Sequence, residues 1–253
     1  MRVILLGDFH AGSVAGLTPR PTNAIQRGVL ARYQDCIKTL GPRPDYLVAN
    51  GDLVDGQQLR GRDAGDSDWL ETQMRDACQL LKMWQAREIF IVSGTQYHVS
   101  AGTLDMEHVV ASMLREGGTK AHFSRKLNLT LRGWFRLQAR HHIGSSGIPH
   151  GRFTSQNRSR VWGVLNAALD RKSWPHLSVY SHVHYWTYSE DAWGAVMTLP
   201  AWQAVGSRYG SERCDGHCDI GAVELRIGKT QQEGWQWRKR LYQASVADRA
   251  VRR

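Results

Sequence analysis

The sequence predicts an α/β fold, and three features support that prediction. Apolar runs of strand length alternate with helical patterns through the first 115 residues, which is typical of a mainly parallel sheet. From residue 127 onward strand-like runs dominate, and a single helical pattern at 155–172 interrupts them. The chain has 253 residues, of which 42% are hydrophobic, so it can bury a sizeable core.

The first elements follow from local patterns. Residues 3–6 are an unbroken β-branched and leucine run, as expected of a strand buried on both faces. Asn23 or Thr22 can cap a helix over 24–40, because its apolar residues recur on one face and two prolines follow it.

The remaining elements are assigned in the same way. Helices are predicted over 68–86, where Asp68 and Glu71 resemble a capping box, and over 103–115, where Thr103 is the predicted cap. The other predicted strands are residues 46–49, 89–92, 127–131, 135–142, 176–181, 194–199, 220–227 and 235–242. No repeat or linker is evident, so we expect one domain over 1–244 and a basic, disordered tail over 245–253.

Composition indicates the kind of partner and compartment. A net charge of +10 favours a polyanion such as nucleic acid, although a generally basic soluble protein is the alternative. Cys36 and Cys78 fall among apolar neighbours and are interpreted as buried thiols. The first apolar run is too short for a signal peptide or a membrane span, so we expect a cytoplasmic protein with no membrane partner. No obligate protein partner is evident.

Four segments rich in histidine and aspartate each end an apolar run. They are Gly7-Asp8-Phe9-His10, Gly51-Asp52-Leu53-Val54-Asp55, His141-His142 and Ser181-His182-Val183-His184. In an extended segment, residues two apart point to the same side, so both side chains of each Asp-x-His or His-x-His pair can reach one ion. Alternation along 135–141 places His141 inward, and His142 is the alternative ligand.

Each segment alone has an ordinary structural explanation. Gly-Asp is a common turn, and a histidine in a strand is often only hydrogen-bonded. Four such strand ends together predict a metal centre, because aspartate and histidine are ligands for divalent ions. This mixed donor set suits manganese, iron or zinc better than magnesium alone.

These motifs resemble those of the calcineurin-like metallophosphoesterase superfamily, which has Asp-x-His, Gly-Asp-x-x-Asp, Gly-Asn-His-Asp/Glu, a lone His and Gly-His-x-His in this order. The resemblance spans about residues 1–200, and the chain looks most like bacterial and phage-encoded members of the superfamily. It implies a four-layer α/β/β/α sandwich with a mixed sheet pair. It also implies a phosphoester hydrolase. The basic charge then favours a phosphodiesterase or nuclease over a phosphomonoesterase or protein phosphatase.

The resemblance also implies roles for individual residues. Asp8, His10 and His184 would hold one divalent ion, His182 and His141 a second, and Asp52 would bridge the two. Such ions lie about 3.5–4 Å apart, and a hydroxide between them would attack phosphorus. Asp55 would orient a ligand or fix its loop.

The third motif departs from the family pattern. The chain has Gly94-Thr95-Gln96-Tyr97-His98, so Thr95 or Gln96 would replace the asparagine oxygen, and His98 would replace the histidine that protonates the leaving group. With one ion or none, the chain would be a non-catalytic binding module.

Other residues were considered for substrate binding. His150 and Arg152 lie in the loop after the His-His pair, where Arg152 either pairs with a phosphate or is a solvated side chain. Residues 235–242 alternate aromatic and basic residues, and they either stack nucleobases or form a charged edge strand. Cys214 and Cys218 lack the further ligands of a zinc knuckle and are assigned to a polar loop.

Overall fold

The computed structural model describes residues 1–56, 70–101, 104–146, 148–171, 173–204 and 218–242. In chain order the strands are β1 (Arg2–Leu6), β2 (Tyr46–Asn50), β3 (Glu88–Val92), β4 (Ser100–Ala101), β5 (Leu104–Asp105), β6 (Ala121–Ser124), β7 (Leu127–Leu131), β8 (Phe135–Ala139), β9 (Leu177–Tyr180), β10 (Thr187–Asp191), β11 (Gly194–Thr198), β12 (Ile220–Ile227) and β13 (Trp235–Tyr242). The helices are α1 (Ala24–Leu40), α2 (Leu70–Lys82), α3 (Gln96–Val99), α4 (Met106–Glu116) and α5 (Thr154–Leu169), and a 3-10 helix spans Pro149–Phe153.

The first sheet has the strand order β13-β12-β1-β2-β3-β6. Strands β1, β2, β3 and β6 are parallel to one another, whereas β12 is antiparallel to both β1 and β13. The carboxyl ends of β1, β2 and β3 therefore lie at one edge of this sheet.

The second sheet has the order β10-β11-β9-β8-β7. Strands β8, β9 and β11 are parallel, and the outer strands β7 and β10 are antiparallel to their neighbours. A polar network ties the ends of the two sheets together, because the Asn50 side chain donates to the Arg140 carbonyl at 3.0 Å and to Ser181 Oγ at 2.8 Å.

The two sheets pack face to face. One apolar cluster lies between them and includes Val3 and Val48 of the first sheet and Leu137 and Val179 of the second. A second cluster joins the other face of the first sheet to α1, α2 and α4. Helix α5 contacts the second sheet on its outer side. The fold is thus the predicted α/β/β/α sandwich with two mixed sheets.

Capping residues set the ends of the helices. Asn23 caps α1 by accepting a hydrogen bond from the Gln26 N–H at 2.9 Å, as predicted. Helix α4 begins later than expected, because Asp105 is its N-cap and accepts the N–H of Glu107 at 3.1 Å. Thr103 and Asp68, the caps expected from sequence, lie outside the described residues.

Two strands of these sheets were not predicted from sequence. Strand β6 is short and only partly buried, and β10 ends in Ser-Glu-Asp, a composition typical of loops. Both are sheet edges, so pairing with one neighbour defines them rather than an apolar pattern.

Strand β13 forms the edge of the first sheet, and its aromatic residues are packed. The ring of Trp235 lies 5.2 Å from that of Phe135, and the ring of Trp237 lies 4.8 Å from that of Tyr188. These side chains pack against the apolar cluster between the sheets, which favours the interpretation as an edge strand over stacking of nucleobases.

The predicted tail, residues 245–253, lies outside the described residues. Among the described helices, none combines the length and apolar character needed to cross a membrane.

Candidate metal centre

The predicted ligands lie in loops that follow β1, β2, β8 and β9. The first two loops run side by side, since the Asp8 N–H donates to the Gly51 carbonyl at 2.9 Å and the His10 N–H donates to the Asp52 carbonyl at 3.0 Å. These bonds bring the first two motifs together. The predicted ligands form two clusters.

The first cluster contains Asp8, His10 and His184, each at most 2% exposed. His184 Nε2 lies 3.3 Å from Asp8 Oδ1 and 3.3 Å from His10 Nε2. Asp8 Oδ2 is buried and accepts no hydrogen bond from the described residues. A buried carboxylate oxygen without a hydrogen-bond donor destabilises the folded state, and a bound cation would remove that cost.

The second cluster contains Asp52, His141 and His182. His141 Nε2 lies 2.9 Å from Asp52 Oδ2, and His141 Nδ1 lies 2.7 Å from the Asn50 carbonyl. Because a carbonyl oxygen can only accept, Nδ1 is the protonated donor and Nε2 faces the cluster. A carbonyl behind the imidazole is the usual support for a metal-binding histidine.

The two clusters adjoin, since His141 Nε2 is 3.9 Å from Asp8 Oδ1. Burial alone would lower the pKa of His141, but Asp52 and Asp8 raise that pKa to about 10. Burial would likewise raise the pKa of Asp52, but His141 holds it well below its usual value. Without a metal, the His141 proton therefore supplies positive charge beside Asp52.

The backbone at these residues differs from the extended geometry expected from sequence. Asp8, His10, Asp52, His182 and His184 have φ angles of 53°, 46°, 51°, 71° and 56°. Positive φ is uncommon for residues other than glycine and tends to cluster at functional sites. The extended geometry expected for the paired residues was therefore wrong. Asp8 and His10 nevertheless share one cluster, whereas His182 and His184 belong to different clusters.

The structure distinguishes the two neighbouring histidines. His141 is 2% exposed and belongs to the second cluster, as the alternation along the strand predicted. His142 is exposed, and its ring lies tilted against that of His182 with 4.6 Å between centroids. His142 therefore lies beside the second cluster and is not part of it.

The variant third motif places Thr95 at the second cluster. The Thr95 N–H donates to Asp52 Oδ1 at 2.7 Å, and Thr95 Oγ1 lies 3.2 Å from His182 Nδ1. A Cβ on Gly94 would lie 2.2 Å from Asp52 Oδ1, so this close approach requires glycine. Gln96 is exposed, so Thr95 is the better candidate to supply the missing oxygen.

A third group consists of His10, Asp55 and His98. His98 Nδ1 lies 3.0 Å from the Asp55 carbonyl, and the His98 ring packs edge-on against His10 at 4.7 Å. Burial lowers the pKa of His98, and the neighbouring His10 lowers it further. His98 therefore adjoins the first cluster, with its Nδ1 held by the loop of the second motif.

Glu107 also supports the site, although its position in the sequence does not indicate this. It is fully buried, and its oxygens accept the N–H groups of Leu53 and Gly94. Burial and repulsion from Asp52 raise its pKa to about 8. The sequence shows it only as an acidic residue in the first turn of a helix.

The residues expected to bind substrate lie at the edge of this region. The Arg152 guanidinium lies 4.6 Å above the ring of Tyr185, which follows His184 in the chain. His150 is exposed. Cys214 lies outside the described residues, whereas Cys218 is buried, as are Cys36 and Cys78.

The donors fit divalent ions with borderline ligand preferences. Each cluster offers one carboxylate oxygen and two imidazole nitrogens, and within each cluster these atoms lie within 4.8 Å of one another. Buried carboxylates and imidazoles in this arrangement suit zinc, manganese or iron.

Comparisons with known proteins found similarity at the level of structure. No family model matches the sequence, and no curated protein does so. Vps29 from Entamoeba histolytica complexed with Zn²⁺ is 15% identical, with 95% of this chain and 99% of that chain covered and a TM-score of 0.46. An archaeal phosphodiesterase is 12% identical, with 96% and 100% covered and a TM-score of 0.49. A predicted phosphoesterase from Streptococcus pneumoniae is 12% identical, with 94% and 97% covered and a TM-score of 0.37. These are similarities of fold alone.

Proposed function

We propose that this protein is a phosphoester hydrolase that uses two divalent metal ions and prefers phosphodiesters. One observation supports the proposal above all others: two buried clusters of one aspartate and two histidines adjoin, with His141 Nε2 only 3.9 Å from Asp8 Oδ1. Such a density of buried ionisable groups is unfavourable in a core and is typical of a functional site.

The roles of the ligands follow from the clusters. Asp8, His10 and His184 would hold one ion, and Asp52, His141 and His182 would hold the other. Divalent ions in such a site lower the pKa of water, which supplies a nucleophile near neutral pH, and neutralise charge on the phosphoryl oxygens. Thr95 contributes its hydroxyl beside His182.

The remaining groups act on the substrate. His98 is the proposed proton donor to the leaving oxygen, because the Asp55 carbonyl occupies Nδ1 and leaves Nε2 for this task. Arg152, packed on Tyr185, is the proposed partner of a non-bridging oxygen. Asp55 positions His98 and, through Oδ1 at 3.3 Å from His10 Nδ1, also orients His10.

The preference for diesters rests on charge. A net charge of +10 attracts polyanions, and nucleic acid is the commonest polyanion built from phosphodiesters. A phosphomonoesterase or a protein phosphatase with the same metal centre is the alternative substrate class.

A second candidate function is a metal-binding module without activity. The observation that favours it is Thr95, which stands where the family resemblance predicts an asparagine ligand. A hydroxyl is a weaker neutral ligand than an amide oxygen, so the second cluster would lose affinity before the first.

The test uses protein stripped of metal by a chelator and then supplied with Mn²⁺. Hydrolysis of bis(4-nitrophenyl) phosphate and of 4-nitrophenyl phosphate is followed by absorbance. We expect manganese-dependent turnover of the diester and loss of that turnover in Asp52→Asn. The control is Glu71→Gln, which removes a carboxylate that is 67% exposed on α2 and should retain the turnover.

Each other outcome has a defined meaning. Turnover of the monoester alone would contradict the diester preference. Binding of manganese with no turnover of either ester would support the non-catalytic module. Full activity in Asp52→Asn would show that the assignment of Asp52 is wrong.

A further inference from the structure

A groove lies on the outer side of the second sheet, away from the core between the sheets. Its volume is about 470 Å³, and its walls are the outward faces of β7 and β8 on one side and α5 on the other. This volume is in the usual range for pockets that accept small molecules or a few linked units of a polymer.

The floor of the groove carries positive charge. Leu127 pairs with Ala139 across β7 and β8, so the next residue on each side places Lys126 beside Arg140. Both line the groove, together with Arg136. Like charges placed opposite each other across two strands are destabilising, and burial together with Arg140 lowers the pKa of Lys126. An anion bound between them would relieve this repulsion.

The helical wall is open in a way that leaves room for a ligand. Among the described residues of α5, only Gln156 is buried, so most of this helix is accessible. A Cβ added to Gly163, which lines the groove, would meet no atom within 4 Å. Trp162 also lines the groove and is 59% exposed, so a flat aromatic surface borders the cationic floor.

The groove adjoins, along the chain, the segment that enters the metal centre. Arg140 directly precedes His141 of the second cluster, and their side chains point to opposite faces of the sheet. The ring of the following residue, His142, lies tilted against that of His182 with 4.6 Å between centroids. Strand β8 ends at Ala139, and the chain then passes from Arg140 in the groove to His141 in the second cluster.

We propose that this groove binds single-stranded nucleic acid, with phosphates at Lys126 and Arg140 and a base stacked on Trp162, and directs the next phosphodiester to the metal centre. The proposal rests on the proposed function and names its substrate class. A cationic groove that follows the backbone, bordered by an aromatic side chain that accepts any base, is the usual design for binding single strands.

The first experiment measures binding in excess chelator, so that no hydrolysis occurs. A fluorescein-labelled thymidine 15-mer is titrated with the unmodified chain and with a Lys126→Ala/Arg140→Ala variant, and anisotropy gives Kd over a range of salt. Removal of two phosphate contacts should raise Kd at least tenfold at low salt. It should also reduce the slope of log K against log salt by about 1.4, at about 0.7 per contact.

The matched control is Arg27→Ala/Lys38→Ala, which removes the same charge from exposed positions of α1 in the opposite outer layer. We expect less than a twofold change in Kd for this control. Equal losses in both double variants would overturn the proposal, because net charge alone would then explain binding.

Two further variants keep the test independent of folding. Lys126→Glu should weaken binding more than Lys126→Ala while thermal stability is unchanged or higher, because the new carboxylate pairs with Arg140. Trp162→Ala, at an exposed position, should raise Kd about tenfold. Wild-type affinity in both would overturn the proposal.

A competitor identifies the class of ligand. Poly-glutamate at equal charge should displace the labelled strand poorly, and efficient displacement would overturn the assignment to nucleic acid. Turnover of bis(4-nitrophenyl) phosphate by the unmodified chain is measured separately. If that turnover is absent while the groove binds the strand as described, the proposed function fails and the groove stands. If turnover is present and the variants bind the strand as the unmodified chain does, the proposed function stands and the groove proposal fails.

Discussion

The carboxyl group of Glu107 accepts a hydrogen bond from the backbone N–H of Leu53 at 2.9 Å, across 54 residues of sequence. Its other oxygen accepts the N–H of Gly94. One buried side chain of α4 thus joins the loop that carries Asp52 to the loop that carries Thr95. These loops supply the carboxylate and the hydroxyl of the second cluster.

Glu107→Gln should therefore loosen the second cluster without a change in volume. One backbone N–H would face an amide donor instead of an acceptor, and an unsatisfied buried N–H costs about 1–3 kcal/mol. In a chain of this size each kcal/mol lowers Tm by about 2–4 °C. We expect a lower Tm in chelator and weaker binding of manganese, measured by calorimetry. Glu116→Gln, at the exposed end of α4, is the control, and equal behaviour of the two variants would contradict the role given to Glu107.

The hydroxyl of Thr95 can be tested with a matched pair of variants. Thr95→Val removes Oγ1 and keeps the shape and the N–H that donates to Asp52, whereas Thr95→Ser keeps the hydroxyl. Groups that support metal ligands usually contribute 10–100-fold in affinity. We expect Thr95→Val to weaken binding of the second manganese equivalent about tenfold or more, and Thr95→Ser to remain near wild type. Indistinguishable titrations would exclude the hydroxyl from the site.

The role of His98 predicts a dependence on the leaving group. A bound phosphate would raise the lowered pKa of the imidazole and so allow it to donate a proton. His98→Ala should reduce hydrolysis of alkyl phosphodiesters by about 10²–10⁴-fold, because alkoxides need protonation. It should affect bis(4-nitrophenyl) phosphate much less, because nitrophenolate leaves without a proton. Equal losses for both substrates would indicate that His98 is structural.

The ion pair between His141 and Asp52 predicts a pH dependence of stability in the absence of metal. The pKa of His141 is about 10 in the folded chain against 6.5 when unperturbed. The folded state therefore binds more protons between these values, and its stabilisation is complete below pH 6.5 and lost as pH rises through 10. We expect Tm in chelator to fall over this range, and the profile of His141→Asn to be flatter. His142→Asn should keep the wild-type profile, and a flat profile in the unmodified chain would contradict the ion pair.

Much of the fold could be predicted because its elements have strong local signals. Helix α1 has an apolar stripe, an asparagine cap and prolines beyond its end, and the structure places it at Ala24–Leu40 as predicted. Strands β12 and β13 likewise match the predicted ranges. Strand β6 was missed because a short edge strand lacks such a pattern, and Asp105 replaces the predicted cap of α4 because its carboxylate reaches the N–H groups of Glu107 and His108.

The site could be predicted only in part. The meeting of Asp8 and Asp52 follows from topology, because β1 and β2 are parallel neighbours whose carboxyl ends share an edge, whereas His184 follows a strand of the second sheet. The left-handed backbone of these residues could not be predicted from the sequence, because local preference reserves that conformation mainly for glycine. Long-range hydrogen bonds impose it here. Glu107 was not assigned for a similar reason, because its partners are distant in sequence. Metal binding by each of these residues stays a prediction.

The most direct test of the central claim is an anomalous difference map from crystals of the unmodified chain grown with Mn²⁺. Our account predicts two peaks: one in contact with Asp8, His10 and His184, and one in contact with Asp52, His141 and His182. The absence of peaks at these side chains, or a single peak elsewhere in the molecule, would contradict it.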